Sequence, residues 1–123
     1  MQPIILSICE LANGRLNGRV AGQRDFARIC EAVAGASAGN IVLLDFGGIP
    51  LVSGSWGNAA LVPLIKWAAD SQIDLYPVLL NVGTESLEDL QLVAEWNHQT
   101  YLHATGRRGL PPKAVLLGSL DQG

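Results

Sequence analysis

The run Ser53-Gly54-Ser55-Trp56-Gly57-Asn58 packs two hydroxyls, two glycines and an amide into six residues, directly before an apolar stretch with helical spacing. A serine in such a place can cap the helix, act as a nucleophile or accept a phosphoryl group. The nucleophile reading falls on Ser55, one residue off a Gly-x-Ser-x-Gly elbow, with Asp89 and His103 following in hydrolase order. Ser53 stands where that elbow needs its first glycine, and 123 residues are few for the hydrolase fold, so a serine hydrolase is the weakest of the readings. Asp45 closes an apolar run just before Gly47, Gly48 and Pro50. A phospho-receiver aspartate needs an acidic pair after the first strand, where only Glu10 stands, whereas a carboxylate capping a glycine turn needs nothing more than Gly47 and Gly48. His98 and His103 are five apart with no cysteine beside them, which is not the i, i+4 spacing of a zinc helix, and no metal is expected. The sequence contains neither G-x-x-x-x-G-K-[ST] nor a strand followed by G-x-G-x-x-G, so no nucleotide-type cofactor and no catalytic residue are assigned.

These residues need elements to hold them. Ile4, Leu6 and Ile8 alternate with Ile5, Ser7 and Cys9, which predicts a strand running towards Ala12-Asn13-Gly14; Gly14, Gly18 and Gly22 then punctuate a loop or hairpin. From Gln23 to Ala34 the residues Phe26, Ile29, Cys30 and Val33 share a helical face, with Arg24, Asp25, Arg28 and Glu31 on the other. Cys30 then reads as a small core residue. Ile41 to Phe46 is a continuous apolar run of the kind that fills a strand covered on both faces. Leu61, Leu64, Ile65 and Ala68 share the face of the next helix, in which Pro63 either removes one backbone bond or marks a start near Val62. A second buried strand is expected at Val78 to Val82, with Pro77 at its start or at an edge. Ser86 and Asp89 suggest a capping box opening a helix through about Asn97 on Leu87, Leu90, Val93 and Ala94. Glu85, Glu88 and Asp89 suit its first turn, where the helix dipole favours negative charge. Thr100 to Ala104 reads as a strand, Thr105 to Pro112 as a basic turn, and Ala114 to Leu117 as a further apolar segment. Alternating strands and helices predict an α/β fold, a small open mixed sheet with helices packed on its faces.

The 123 residues suit one domain, 1–123, although the ending Leu117 to Gly123 stops where a new element could begin, as in a module of a longer protein. With 49% apolar residues a sizeable core is available, and the formal charge of −3 argues against nucleic acid as a partner. Two cysteines make neither a disulfide framework nor an all-cysteine zinc site, and no segment has the length of a membrane span; a cytoplasmic protein away from the membrane is the expectation. Trp56, Trp67 and Trp96 leave room for a homodimer patch.

The order Ile41-Val42-Leu43-Leu44-Asp45-Phe46-Gly47-Gly48-Ile49, then Ser53-Gly54-Ser55-Trp56-Gly57, with Asn81 in a later strand, resembles the STAS superfamily of anti-sigma factor antagonists, and in particular its STAS-like branch. The likeness spans about Gly18 to Ala104 and includes the Ser55-aromatic pair of that branch. It implies a regulatory, non-enzymatic bacterial domain that works by protein–protein interaction, with a GHKL-type ATP-binding kinase of the anti-sigma factor class or another regulator as partner. The partner-binding turn it implies runs through Asp45, Gly48, Gly54, Trp56 and Asn58. Where the antagonists carry a phosphorylated serine this chain has Gly54, so a switch by phosphorylation would fall on Ser55 or Ser53. Trp56 is core or an exposed anchor, and the bland alternative for Ser55 is an N-cap. A reading from another class takes the same glycine-rich turn as a small-molecule or nucleotide sensor, its backbone N–H groups facing an anion at a helix N-terminus.

Overall fold

The computed structural model describes residues 2–105 and, for residues 113–118, the course of the chain. Its elements are β1 (Ile4–Ser7), α1 (Ile8–Ala12), α2 (Arg19–Ala32), β2 (Ile41–Asp45), α3 (Gly54–Ala68), β3 (Tyr76–Leu80), α4 (Thr84–Trp96), β4 (Thr100–Thr105) and β5 (Lys113–Gly118). The strands form one mixed α/β sheet in the order β1-β2-β3-β4-β5, parallel from β1 to β4 and antiparallel only between β4 and β5. Because β1 to β4 lie side by side in chain order, every crossover steps the same way. Uniformly right-handed crossovers then place all their helices on one face. α2 packs on α3 and α3 on α4 accordingly.

This corrects the expectation of helices on both faces. Along β2, Val42 and Leu44 are buried under the helices, whereas Ile41 is exposed and Leu43 only half-buried. The helix-side core gathers Ile8, Ile29, Val42, Leu44, Phe46, Trp56, Leu61, Leu79, Leu90 and Tyr101. Pro77 tolerates its place in β3 because the pairing with β4 begins at Val78, so its missing N–H leaves no gap on that side. Among the described residues no helix is long and apolar enough to cross a membrane.

Several boundaries differ from expectation, each for a local reason. β1 stops at Ser7, whose side chain accepts from Glu10 N–H and opens α1; Ile8 and Ala12 then bury themselves at helical spacing. Gly22, expected in a loop, lies inside α2. α3 runs through Pro63 without ending, held by the buried Ala60, Leu61, Leu64 and Ala68 on either side of it. α4 begins after Gly83, not at Ser86; the Ser86 hydroxyl instead accepts from Val52 N–H at 2.8 Å, inside the protein. The turn expected from Thr105 to Pro112 lies, after Thr105, outside the described residues.

Candidate functional site

The segment that carries the two serines is clamped from both sides. Leu16 bridges Val52, Ser53 N–H donates to Leu16 O at 2.9 Å, and Ser86 holds Val52 from the α4 side. This brings the N-terminus of α3 between α2 and α4. Ser53 is the N-cap, and its Oγ accepts from Trp56 N–H at 3.1 Å and from Gly18 N–H at 3.2 Å. Those two bonds use both lone pairs of the hydroxyl, so its proton points to Ser55 Oγ, 3.1 Å away. Ser55, exposed in the first turn of α3, accepts that proton and keeps its own O–H free to donate outward. The cap is thus Ser53, and Ser55 is a surface hydroxyl resting on it.

Ser55 opens onto a groove of about 450 Å³ between α3 and α4, lined by Gly54, Ser55, Asn58, Asp89, Leu92, Val93 and Trp96. Asp89, Leu92, Val93 and Trp96 follow each other at i, i+3, i+4 and i+7 along α4 and so form one wall. Trp96 is 74% exposed and Leu92 45%, an unusual degree of exposure for large apolar groups standing side by side. Asn97 Nδ2 donates to Asn58 Oδ1 at 3.0 Å and to Val93 O at 2.8 Å, tying the end of α4 to α3 at the groove's far end. A Cβ on Gly54 would meet Val93 Cγ2 at 3.7 Å and Asp89 Cβ at 4.0 Å, ordinary contact distances, so the groove begins right at the first residue of α3.

The other residues picked from the sequence are structural. Asp45 Oδ1 accepts from Gly47 N–H at 2.9 Å and from Asn81 Nδ2 at 3.3 Å; the carboxylate shapes the turn after β2 and ties it to the end of β3. The turn closes through Ile49 N–H to Phe46 O, with Gly48 at φ +83°, a conformation that strains any residue with a Cβ. Trp56 is corrected from the docking surface to the core. It is fully buried, edge-on to Phe46 at 6.0 Å, and its indole N–H donates to Asp25 Oδ2 at 2.9 Å.

Asp25, placed by helical spacing on the solvent side of α2, is fully buried. Arg24 Nε lies 3.2 Å from its Oδ1 and Arg28 Nη1 3.7 Å, so the carboxylate is paired as well as hydrogen-bonded. Arg28 also donates to Ala12 O at 2.8 Å, which joins α1 to the same cluster.

His103 is buried in β4, and its Nε2 accepts from Val82 N–H at 3.1 Å. Burial lowers its pKa, and the backbone bond commits its acceptor nitrogen. Ser55 and Asp89 do share the groove, as a hydrolase order would require, but the hydroxyl's partner is Ser53 and the imidazole is engaged with Val82. Desolvation raises the pKa of the half-buried Cys30 thiol, in keeping with a packing role. Among the described residues no three His, Cys, Asp or Glu side chains converge as a metal site.

Leu92 was not picked out from the sequence, and Trp96 only as one of three tryptophans that leave room for a homodimer patch. The signal was nevertheless present: both fall outside the apolar face formed by Leu87, Leu90, Val93 and Ala94. Compared with known proteins, the chain matches no family model, no curated protein and no solved structure.

Proposed function

We propose that this chain is a regulatory protein–protein interaction domain that seats an apolar segment of its partner in the α3–α4 groove and is switched at Ser55. The reading rests on one observation, the exposed Ser55 hydroxyl beside a groove walled by the exposed Leu92 and Trp96. Exposed aromatic and aliphatic groups around a shallow groove are the usual anchors of an interface. Resemblance to the STAS-like anti-sigma factor antagonists supports the same class of function and suggests a GHKL-type kinase as the partner.

Phosphorylation of Ser55 would add about −1.5 to −2 charges at the mouth of the groove. The helix dipole of α3 tolerates that charge, so the fold stays intact. A docked apolar segment would have to bury the dianion beside Asp89, and binding is lost through desolvation and repulsion. Ser53 is a poor switch by comparison, since a phosphate there would break both bonds of the cap.

The test is to purify the native partner on the wild-type chain and measure its affinity for Ser55→Ala, Ser55→Asp and Trp96→Ala. Ser55→Ala is expected to bind as wild type, and Ser55→Asp and Trp96→Ala at least about tenfold more weakly, a difference of about 1.4 kcal/mol. Equal affinity of all four forms would remove both the groove and the switch. A second reading, a small-molecule sensor, draws on the groove volume of about 450 Å³, which lies in the range of ligand sites. It predicts a ligand-dependent rise in melting temperature that Trp96→Ala abolishes.

A further inference from the structure

The α3–α4 groove carries charge of one sign only. α4 holds Glu85, Glu88, Asp89 and Glu95, all exposed, and has no Lys, Arg or His from Thr84 to Trp96. Across the groove, α3 has no charged residue from Gly54 to Ile65, and its one cation, Lys66, stands more than two turns beyond Asn58. Among the described residues no Lys or Arg pairs with the acids of α4; the ion pairs lie at Asp25, on α2. Glu95 accepts from the neutral Gln91 amide at 2.8 Å.

We propose, on the basis of the docking reading above, that the segment seated in this groove is a basic one, with Lys or Arg beside its apolar residues. Glu88 and Glu95 stand at i−4 and i+3 from Leu92, one turn to either side of it, on the edge of the wall turned away from α3. A segment that rests its apolar groups on Leu92 and Trp96 brings its flank over these two carboxylates, where a cation is attracted and an anion repelled. Trp96 adds to the preference. Its indole is 74% exposed, and an aromatic face takes a cation as readily as an apolar group.

The arrangement also fits a switch at Ser55. Glu88 and Glu95 lie on the far edge of the wall from the serine, so the basic flank is held away from Ser55 and the apolar side faces it. A phosphate there still has to be desolvated beside Asp89. Exposed ion pairs are individually weak, worth about two- to fivefold each at best. Charge therefore selects among apolar segments, while burial on Leu92 and Trp96 supplies most of the affinity.

Selection of a random peptide library displayed on phage against the full chain tests this. Synthetic copies of the enriched peptides are then titrated by fluorescence anisotropy against wild type, Trp96→Ala and a double variant, Glu88→Lys with Glu95→Lys. Enriched peptides are expected to combine Lys or Arg with large apolar residues, and to bind both variants about tenfold more weakly than wild type. Added salt should weaken the wild-type complex and leave that of the double variant unchanged. Both glutamates are exposed, so the double variant should keep the wild-type circular dichroism and melting temperature; Glu88→Gln with Glu95→Gln, which adds no new charge, repeats the comparison if it does not. Neutral or acidic peptides, or basic ones that bind the double variant as wild type, would overturn the proposal while leaving the groove reading in place so long as Trp96→Ala abolishes binding. Peptides that bind Trp96→Ala as wild type, or no enrichment at all, would overturn both.

Discussion

Ser53 and Ser55 stand two residues apart with different tasks, and stability measurements separate them. Ser53→Ala leaves Gly18 N–H and Trp56 N–H without their shared acceptor; the expected loss is about 1–2 kcal/mol of unfolding free energy. Ser55→Ala removes only an exposed hydroxyl, with a change within about 0.5 kcal/mol. Urea denaturation of the two variants checks this, and equal losses would refute the assignment of the cap. His103 makes a second prediction at the same scale. Its pKa is lowered in the fold, while an unfolded histidine titrates near 6.5. The unfolded chain therefore takes up the proton first as pH falls. The stability that neutral His103 contributes is complete above about pH 6.5 and is lost as pH drops from there through the lower, folded pKa. His103→Gln, whose amide oxygen can accept from Val82 without titrating, should be less stable near neutrality but lose less on acidification. The same acid-side slope in both proteins would mean that another group controls it. Asp25 shows what could not be read at this scale. Helical spacing assigns any carboxylate between apolar positions to solvent, and the Trp56 indole arriving from another helix, together with Arg24 and Arg28, is what lets this one be buried.

α3 is the element on which the rest depends, and its two interfaces differ in tolerance. A Cβ on Gly22 of α2 would lie 2.8 Å from Trp56 O and 2.7 Å from Ala59 Cβ, which means contact with the backbone of α3. A Cβ on Gly57 would lie 2.5 Å from Leu90 Cδ2, the far end of a flexible side chain. Gly22→Ala must push two helices apart and is expected to cost about 2–3 kcal/mol. Gly57→Ala needs only a rotamer change in Leu90 and recovers up to about 1 kcal/mol of helix propensity, for a net effect near zero or mildly destabilising. Thermal melts that place Gly57→Ala below Gly22→Ala would reverse this account of helix spacing. The existence of α2, β2, α3, β3, α4 and β4 was legible in periodicity, because each shows a period of 3.6 or a short apolar run. Their starts were less so. Ser7 caps α1 where strand alternation seemed to continue, and Ser86 resembles a capping residue yet bonds Val52 across the chain. A short polar side chain carries the same local signal in either role, and a partner distant in sequence decides between them.

For the whole molecule, the alternation of strands and helices determined the class, a small open mixed α/β sheet, since each amphipathic element must find an apolar surface to cover. It also located the serine turn before α3 and the glycine turn after Asp45, because caps and turns obey rules that act over a few residues. Which face of the sheet the helices take is not a local matter. A continuous apolar strand such as β2 reads the same whether both of its faces are covered by its own chain or one is left for something else. Strand order settles it: four parallel strands laid down in succession send every crossover to one side, and Ile5 and Leu102 stay exposed on the other. The groove arises in the same way. Ser55 and Asn58 belong to one helix and Leu92 and Trp96 to another, and nothing in the spacing within either helix tells that the two lie side by side. Sequence alone determined the type of most elements, α1 excepted, and where the hydroxyls stand, through interactions that span a turn or less. Tertiary structure alone decided which hydroxyl is exposed, which tryptophan is buried and which apolar side chains stay outside the core, because burial depends on partners far away in the chain.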